Sequence, residues 1–416
     1  MCSAPARVRL IPRRAVRLDS SQPAPYDLPM KRFAAFDPPE YVGLTLDDEL
    51  LREYRATLDR DPERARVIRA LSGEQLLAMY RGLLRNRLSD IALKRFVRQG
   101  VISKAWLGTG EEAATIGPVH ALRRPASASD APRELAWQAM RDRAHDVVAP
   151  MIRNSGACHE MGMPIGDIFR AYMGTDDGPS RGRDGHYGAP ALGVLPPISH
   201  VGDMVPVITG IALSFKVRGQ DRVAMTWIGD GSTKTGVAHE GLNFAAVQRV
   251  PAIFIIQNNQ VALGTRLDQH HASAGTTNFA DWPAAYGVWG GVFDGNNVLD
   301  AYAVAALAVE RCRRGEGPAL LIAETFRMGG HATHDEAEAR RTFADEMFTR
   351  WGRRDPIALY EEHLVSEGVS AETLTAIEAE VEAEIEDAEA VALASRQSRM
   401  PEGEQALVDV YADERK

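Results

Sequence analysis

The sequence predicts an α/β fold, namely a doubly wound, mostly parallel sheet with helices on both faces. From about residue 203, segments with helical spacing of apolar residues alternate with short apolar runs, a rhythm typical of parallel strands joined by crossing helices. The runs "AMTWI" (224–228) and "AIFII" (252–256) are almost wholly apolar, as strands covered on both faces require. With 416 residues, 45% of them hydrophobic, the chain is long enough to bury such a core.

Residues 1–44 are predicted to form an extended, Pro-rich N-terminal arm. The first eighteen residues, "MCSAPARVRLIPRRAVRL", contain five arginines and no acidic residue. Two interpretations remain open for them, a basic arm or part of an organelle transit peptide. The stretch "SQPAPYDLPMKRFAAFDPPE" that follows is expected to run extended along a surface or a partner.

A long helix is predicted next, from a capping box at Ser72 and Gln75 to a stop at Gly100. The glycine-rich region 155–202 is expected to be irregular, because the glycines and prolines of "GPSRGRDGHYGAP" oppose regular structure. Loops of this length are usually functional or disordered, so this region is a candidate for function.

The alternating part of the chain divides into helices and strands. Helices are predicted at 203–219, 235–248 and 299–315, and strands at 222–228, 252–257, 288–295 and 318–325. Beyond about Glu336 the chain is highly charged and helical, which favours peripheral packing or contact with another subunit. The predicted domains are therefore the arm (1–44), an α/β domain (45–340) and a C-terminal helical segment (341–416).

Composition argues against several classes of protein. The net charge of −9 and the dispersed basic residues argue against a nucleic-acid partner. No window approaches eighteen uninterrupted apolar residues, so no membrane span is expected. The three cysteines, at positions 2, 158 and 312, have no metal-like spacing and are too few for a disulfide framework, which favours a reducing compartment.

Polar residues follow two of the predicted strands. Gly229, Asp230 and Gly231 come after the first, and Asn258-Asn259 end the second, with the last asparagine twenty-nine positions after the aspartate. Both sets fall at carboxyl ends of strands, where open α/β sheets bind ligands. The glycines let the backbone approach a ligand closely, and the amides of the following turn, from Ser232 onward, favour an anion such as a diphosphate.

A diphosphate needs its charge neutralised, and Mg²⁺ with oxygen ligands does this. Asp230 offers a carboxylate, Asn259 an amide oxygen, and a loop carbonyl such as that of Val261 completes the protein's share. The alternative of a dinucleotide-binding turn requires G-x-G-x-x-G, and Gly236 comes too late for its third glycine. A tight turn without a ligand explains Gly-Asp-Gly alone but not the paired asparagines.

The motif also resembles that of thiamine diphosphate enzymes, and the likeness extends well beyond it. The segments "RQGVISKAWLGTGEEAATIG", "GRDGHYG", "GDGSTKTGVAHEGLNFAA", "PAIFIIQNN" and "FRMGGHATHDEAEAR" resemble the α subunit of the first component of 2-oxo acid dehydrogenase complexes, from about residue 72 to 341. The resemblance implies a thiamine diphosphate-binding fold, with thiamine diphosphate and Mg²⁺ as cofactors. It also implies oxidative decarboxylation of a 2-oxo acid, with acyl transfer to the lipoyl disulfide of an acyltransferase component.

The resemblance assigns roles to individual residues. It places Asp230, Asn259 and the main-chain oxygen of Val261 on Mg²⁺, and Arg153 on the diphosphate, whereas Ile152 stands where the family has a tyrosine. Main-chain atoms of the segment 199–202 would hold the cofactor rings, and these are assigned to Ser199 and Val201. His331 matches a histidine near the reactive end of the cofactor, and His186 matches a second one nearer the substrate.

Three further positions depart from the family pattern. His200 lies beside the expected cofactor, and Gln257 stands where some relatives place a phosphate-binding arginine. Ala332 replaces the serine that is phosphorylated in regulated mitochondrial relatives, which favours a bacterial cytoplasmic enzyme over a mitochondrial one.

The family's catalytic glutamate belongs to a β subunit, and no second α/β module is visible after residue 341. We therefore expect an active site at an α/β subunit interface in an α₂β₂ heterotetramer. The arm favours a branched-chain substrate over pyruvate. Two alternatives stay open, an acetoin dehydrogenase α subunit and a non-catalytic paralogue that kept only the fold.

Overall fold

The computed structural model describes residues 48–125 and 144–407. The predicted N-terminal arm, 1–44, lies outside the described residues, as do the last nine residues of the C-terminal segment. Because neither end is fully described, the predicted domain boundaries stay predictions.

Within these ranges one five-stranded parallel sheet lies at the centre, in the order β1-β2-β3-β7-β6. Its strands are β1 (Val147–Ala149), β2 (Ala224–Gly229), β3 (Ala252–Asn258), β6 (Trp289–Asp294) and β7 (Ala319–Glu324). A short antiparallel pair, β4 (Val261–Ala262) and β5 (Thr265–Arg266), follows β3. Four of the five parallel strands coincide with predicted strands; the three-residue β1 was not predicted.

Helices surround this sheet and extend beyond it. They are α1 (Asp48–Arg60), α2 (Pro62–Arg69), α3 (Gly73–Arg98), α4 (Glu112–His120), α5 (Ser155–Glu160), α6 (Ile165–Met173), α7 (Met204–Val217), α8 (Gly236–Gln248), α9 (Leu267–His270), α10 (Trp282–Ala285), α11 (Val298–Arg313), α12 (Glu336–Thr342), α13 (Asp345–Gly352), α14 (Pro356–Ser366) and α15 (Ala371–Ser398).

Both faces of the sheet are buried, as the doubly wound prediction requires. On β2, Met225 and Trp227 belong to the apolar cluster that includes α4, α5 and α11, whereas Ala224 and Ile228 belong to the cluster that includes α7 and α8. The indole N–H of Trp227 donates to the carbonyl of Ala114 in α4 at 2.9 Å. Alternate residues of one strand therefore hold the two helical layers, and the predicted fold class is confirmed.

Helix α3 begins as its capping box predicts. The Gln75 amide N–H donates to Ser72 Oγ at 3.2 Å, and the Ser72 N–H donates to Gln75 Oε1 at 2.9 Å. The helix ends before Gly100, whose φ of +70° suits glycine.

The C-terminal helix α15 packs on α3 and α6. Its buried side chains, among them Val381 and Ile385, join the apolar cluster of α3. Two ion pairs flank this contact, Arg81–Glu380 at 2.9 Å and Arg85–Glu384 at 2.7 Å. The charged surface of α15 thus covers a core that it shares with α3.

The prediction that 155–202 is irregular is wrong for its first part. Helices α5 and α6 occupy 155–160 and 165–173, and every residue of α5 is buried. Tertiary contacts stabilise these short helices; Gly156, for example, donates its N–H to Asn86 Oδ1 at 2.7 Å. The part that contains "GPSRGRDGHYGAP" is irregular, as expected.

None of the helices in the described ranges has both the length and the apolar character that crossing a membrane requires.

Candidate active site

The two predicted motif segments meet at the carboxyl edge of the sheet. Strands β2 and β3 are neighbours in register, with Gly229 opposite Gln257, so Asp230 and Asn259 follow adjacent strand ends. Gly231 lies against the β4–β5 hairpin, since a Cβ added to it would lie 2.5 Å from the Ala262 Cβ. Sequence spacing alone therefore located a true spatial cluster.

Two buried oxygens in this cluster lack a hydrogen-bond donor. Asp230 Oδ1 accepts the N–H of Gly231 at 2.9 Å, but Asp230 Oδ2 has no hydrogen-bond partner. Asn259 Nδ2 donates to Glu111 Oε1 at 2.9 Å, which leaves Asn259 Oδ1 without a partner. A buried oxygen without a donor is costly, and a cation would satisfy both oxygens. A carboxylate and an amide oxygen are ligands that Mg²⁺ accepts, so the residues fit that ion.

Glu111 organises the polar residues beneath the strand ends. Its Oε1 accepts from Gln257 Nε2 at 2.6 Å and from Asn259 Nδ2, while its Oε2 lies 3.9 Å from Arg153 Nε. Gln257 Oε1 in turn accepts from Asn154 Nδ2 at 2.9 Å. Gln257 is fully buried and bound on both sides, so the departure at this position serves an internal network.

Two buried arginines lie on the same side of the site. Arg153 donates to the carbonyl of His331 at 2.9 Å and to that of Leu107. Arg327 donates to the carbonyls of Leu263 at 2.7 Å and Gly329 at 3.0 Å. Burial, together with the positive charge of Arg153, lowers the pKa of Arg327 to about 10. An anion bound between them would relieve this repulsion.

Gly229 leaves open space at the end of β2. A Cβ added there would meet only one protein atom within 4 Å, Ser232 Oγ at 3.9 Å. Packing within the protein therefore does not require glycine at this position. Close approach of a ligand does explain it.

A cavity of about 500 Å³ opens beside these residues. Six predicted site residues line it: Arg153, His186, Ser199, Val201, Ser232 and His331. The metal-site residues Asp230, Asn259 and Val261 are not on its wall and are buried next to it. Ile152 and His200, two departures from the family pattern, also line the cavity.

His331 lies in a loop that is held on both sides. Thr333 N–H donates to the carbonyl of Ala105 at 2.9 Å, and Ala332 N–H donates to Asp335 Oδ2 at 3.1 Å. Burial, and then the positive charges of Arg153 and Arg327, lower the pKa of His331 to about 4. Without a bound anion, His331 is therefore neutral at physiological pH, and its ring can both donate and accept a hydrogen bond.

His186 is held by two neighbours. Its Nδ1 lies 2.8 Å from both carboxylate oxygens of Asp184, and its Nε2 lies 3.1 Å from Ser199 Oγ. The aspartate and the serine lie on opposite sides of the ring, and all three residues line the cavity.

Several residues of the site were not found from the sequence. Glu111 contacts Asn259, 148 positions away, and Arg327 contacts Leu263, 64 positions away; spacing does not reveal such contacts. His270 Nε2 lies 3.6 Å from Asp230 Oδ2. The available signal for Glu111 was an acidic pair in the otherwise apolar start of a helix, "GTGEEAATIG".

The sequence is similar to known proteins over most of its length. Residues 133–400 match the family described as "Dehydrogenase E1 component". The chain is 31% identical over 319 residues to a pyruvate dehydrogenase E1 component subunit alpha of Acholeplasma laidlawii, covering 76% of this chain and 83% of the relative. It is 30% identical to a 2-oxoisovalerate dehydrogenase subunit alpha of Bacillus subtilis, covering 73% and 86%. It is 31% identical to a 3-methyl-2-oxobutanoate dehydrogenase subunit alpha of Mycobacterium tuberculosis, covering 78% and 80%.

Proposed function

Because the chain belongs to the dehydrogenase E1 component family, as the α subunit of a thiamine diphosphate-dependent 2-oxo acid dehydrogenase, we propose that it works with Mg²⁺ and a β subunit. The reaction is the oxidative decarboxylation of a 2-oxo acid, with transfer of the acyl group to the lipoyl disulfide of an acyltransferase component. The main support for the proposal is that two buried oxygens at the carboxyl edge of the sheet, Asp230 Oδ2 and Asn259 Oδ1, accept no hydrogen bond.

Asp230 and Asn259 are the proposed side-chain ligands of Mg²⁺, through the two oxygens that lack donors. Val261, two residues after Asn259 and buried, is proposed to add its main-chain oxygen. Glu111 fixes the Asn259 amide with Nδ2 turned towards itself, so that Oδ1 is left for the ion.

The diphosphate is proposed to lie over Gly229, Gly231 and Ser232, between the metal and the arginine pair. Arg153 and Arg327 supply positive charge from buried positions, where attraction to an anion is little screened. Ile152 has no hydroxyl group that could donate a hydrogen bond to the diphosphate. The positive charge of Arg327 is proposed to provide part of the stabilisation of the diphosphate instead.

When bound, thiamine diphosphate supplies a nucleophilic ring carbon and a ring nitrogen that accommodates the electron pair left by decarboxylation. The chain's own residues bind and orient the cofactor and the substrate. Ser199 and Val201 are proposed to contact the cofactor rings with main-chain atoms. His331, which lines the cavity and is held by its loop, is proposed to donate a hydrogen bond at the reacting end of the cofactor. His186 acts nearer the substrate.

A branched-chain 2-oxo acid is the favoured substrate. The cavity wall carries several large apolar side chains, Met151, Ile152, Ile198, Met204 and Trp227, which suit an aliphatic acyl group. Relatives whose names state a branched-chain substrate and relatives named for pyruvate are similar to the chain to about the same degree. A bacterial cytoplasmic location and an α₂β₂ assembly complete the proposal.

Cofactor titration of the chain reconstituted with its β subunit tests the proposal. We expect Asp230→Ala to abolish Mg²⁺-dependent binding of thiamine diphosphate in a calorimeter, because it removes the only full protein charge proposed on the ion. Asp281→Ala, at an exposed aspartate without a side-chain capping bond, is the matched control and should bind as the wild type does. Unchanged affinity in Asp230→Ala contradicts the metal assignment.

Wild-type turnover with 2-oxo acids of different side chains, and with acetoin, decides the substrate class. We expect the highest kcat/KM for a branched-chain 2-oxo acid. A preference for acetoin would replace the proposed activity with that of an acetoin dehydrogenase.

A further inference from the structure

Asp184, His186 and Ser199 form a hydrogen-bonded chain on the cavity wall. Asp184 Oδ1 accepts the backbone N–H of His186 at 3.2 Å, and both of its carboxylate oxygens lie 2.8 Å from the ring Nδ1. On the other side of the ring, Nε2 lies 3.1 Å from Ser199 Oγ. The aspartate thus contacts the histidine through main chain and side chain together.

This arrangement fixes the proton positions of the chain. A carboxylate only accepts hydrogen bonds, so His186 Nδ1 must carry a hydrogen. In the neutral ring Nε2 is then the acceptor, and Ser199 Oγ donates to it. The lone pairs of the serine oxygen remain available to a group in the cavity.

Asp184 and Ser199, the two ends of this chain, are exposed, and His186 between them is partly buried. The Asp184 side chain is 60% exposed, whereas that of His186 is 23% exposed. The Asp184 carboxylate is therefore accessible to water. Ser199 lies further along the same wall, next to the segment that continues to Gly202.

We propose that His186 and Ser199 transfer a proton to and from the bound substrate, and that Asp184 is the positioning residue that fixes the orientation and the tautomer of the His186 ring. The proposal rests on the proposed function, because that function supplies the substrate. It adds a residue that neither the sequence motifs nor the family resemblance assigned.

One proton passes from a substrate oxygen to His186 by way of Ser199. At the stage of the reaction where the former 2-oxo oxygen is a hydroxyl group, its O–H bond breaks and its proton forms a new bond to Ser199 Oγ, while the original O–H bond of Ser199 breaks and that proton bonds to His186 Nε2. The products are a substrate oxyanion and an imidazolium, which the Asp184 carboxylate stabilises at Nδ1. The reverse transfer returns the proton to the substrate.

Other charged or titratable groups face the same cavity. They are Lys104, Arg153, Tyr172, His200 and His331. None of them is hydrogen-bonded to His186 in the structure; Asp184 and Ser199 are its partners. Asp184 is the one carboxylate among the residues that line this cavity, so its removal takes away the negative charge next to the His186 ring.

The tautomer of His186 in the reconstituted enzyme tests the positioning role without cofactor or substrate. With ¹⁵N-labelled histidine and solid-state NMR, we expect the wild type to show the Nδ1–H form at His186, assigned by its loss in His186→Gln. Asp184→Ala removes the acceptor, and we expect the Nε2–H form to appear. Asp184→Glu should restore the Nδ1–H form. An unchanged tautomer in Asp184→Ala overturns the proposal.

Steady-state kinetics test the proton-transfer role. We expect Asp184→Ala to lower kcat about 10- to 100-fold, with KM for the 2-oxo acid changed less than about twofold, because general acid–base catalysis contributes on this scale. Asp184→Glu should recover most of kcat. The control Asp59→Ala, at an exposed aspartate paired with Arg69 at 2.9 Å, should leave kcat unchanged.

A changed tautomer with unchanged kcat overturns the proton-transfer role. If the wild type decarboxylates no 2-oxo acid, the proposed function fails, and the NMR measurement still decides whether Asp184 positions His186. If Asp184→Ala does not assemble, the comparison of Asp184→Glu with the wild type by both measurements takes its place, and a loss of the Nδ1–H form with full kcat overturns the proposal.

Discussion

At the scale of single residues, Glu111 holds the candidate metal site without being a proposed ligand. We expect Glu111→Gln to weaken Mg²⁺ binding about 10- to 100-fold, because partners that orient metal ligands contribute on this scale. The substitution keeps the shape but removes the charge that faces Arg153 and adds a donor beside the amides of Gln257 and Asn259. Magnesium titration of the α/β assembly at saturating thiamine diphosphate measures the change.

Glu240→Gln is the matched control for this substitution, because Glu240 is exposed on α8. Wild-type magnesium affinity in Glu111→Gln would show that the orientation of Asn259 does not depend on the carboxylate.

Buried histidines make stability depend on pH. Burial lowers the pKa of His159 from 6.5 to about 4. Between these pH values His159 binds a proton more readily in the unfolded chain than in the folded one. The stability that comes from burying the neutral His159 ring is therefore fully present above about pH 6.5 and is lost as the pH falls towards 4. We expect the melting temperature of His159→Leu to fall less than that of the wild type from pH 6.5 to 4.5.

His334→Leu is the control for this measurement, since the side chain of His334 is 56% exposed. An equal fall in the melting temperatures of His159→Leu and the wild type would place the acid sensitivity elsewhere, for example at His331, whose pKa is also about 4.

The strand pattern predicted that two segments of the candidate site lie next to each other. Asp230 and Asn259 were found because each directly follows a recognisable strand and the two strands are adjacent. Glu111 and Arg327 were not found, because they reach the site from α4 and from the segment after β7 through contacts that carry no spacing signal. The hydrogen-bond chain from Asp184 to Ser199 likewise depends on how an irregular loop folds.

At the scale of elements, the contact between α4 and α11 depends on one glycine. A Cβ added to Gly117 would lie 2.6 Å from the carbonyl oxygen of Val298 and 2.7 Å from the Ala301 Cβ. We expect Gly117→Ala to lower the free energy of unfolding by about 1–3 kcal/mol, as overpacking usually does. Urea denaturation followed by circular dichroism measures it.

Gly210 in α7 gives the opposite expectation for the same substitution. No atom lies within 4 Å of a Cβ added there, so Gly210→Ala should raise the free energy of unfolding of the α chain by about 0.5–1 kcal/mol. Equal effects of the two substitutions would show that helix propensity, and not the contact with α11, decides their outcome.

Elements with a strong local signal were the ones that the sequence predicted. The capping box of α3, the apolar run of β2 and the apolar run of β3 are each encoded within a few consecutive residues. Strand β1 has only three residues, which is too short for a period to be recognised. Helices α5 and α6 are six and nine residues long, lack side-chain caps and depend on burial against the rest of the chain.

At the scale of the whole molecule, the described residues line an open cavity that forms one part of the proposed active site. The residues that line the cavity come from both sides of the sheet edge, and Val201 on its rim is 59% exposed. Within 48–125 and 144–407 there is a single parallel sheet, which supplies the proposed diphosphate and metal contacts. The proposed partner, a β subunit, would supply the aminopyrimidine contacts and the glutamate that the family resemblance implies.

This division of the site predicts how the cofactor stabilises the protein. Ligand binding raises the free energy of unfolding by RT ln(1 + [L]/Kd), which is about 2.7 kcal/mol at a hundred times Kd. We expect thiamine diphosphate with Mg²⁺ to raise the melting temperature clearly when α and β are mixed, and very little when the α chain is alone, because the α chain lacks the aminopyrimidine contacts and the glutamate proposed for the β subunit. Asp230→Ala should remove the shift in the mixture, which ties it to the metal site. The α chain alone should also be nearly inactive towards 2-oxo acids, and activity should appear in proportion to added β until the two chains are equimolar. An isolated α chain that decarboxylated a 2-oxo acid at the rate of the mixture would show that one chain carries the complete site, and it would overturn the proposed assembly together with the division of labour on which it rests.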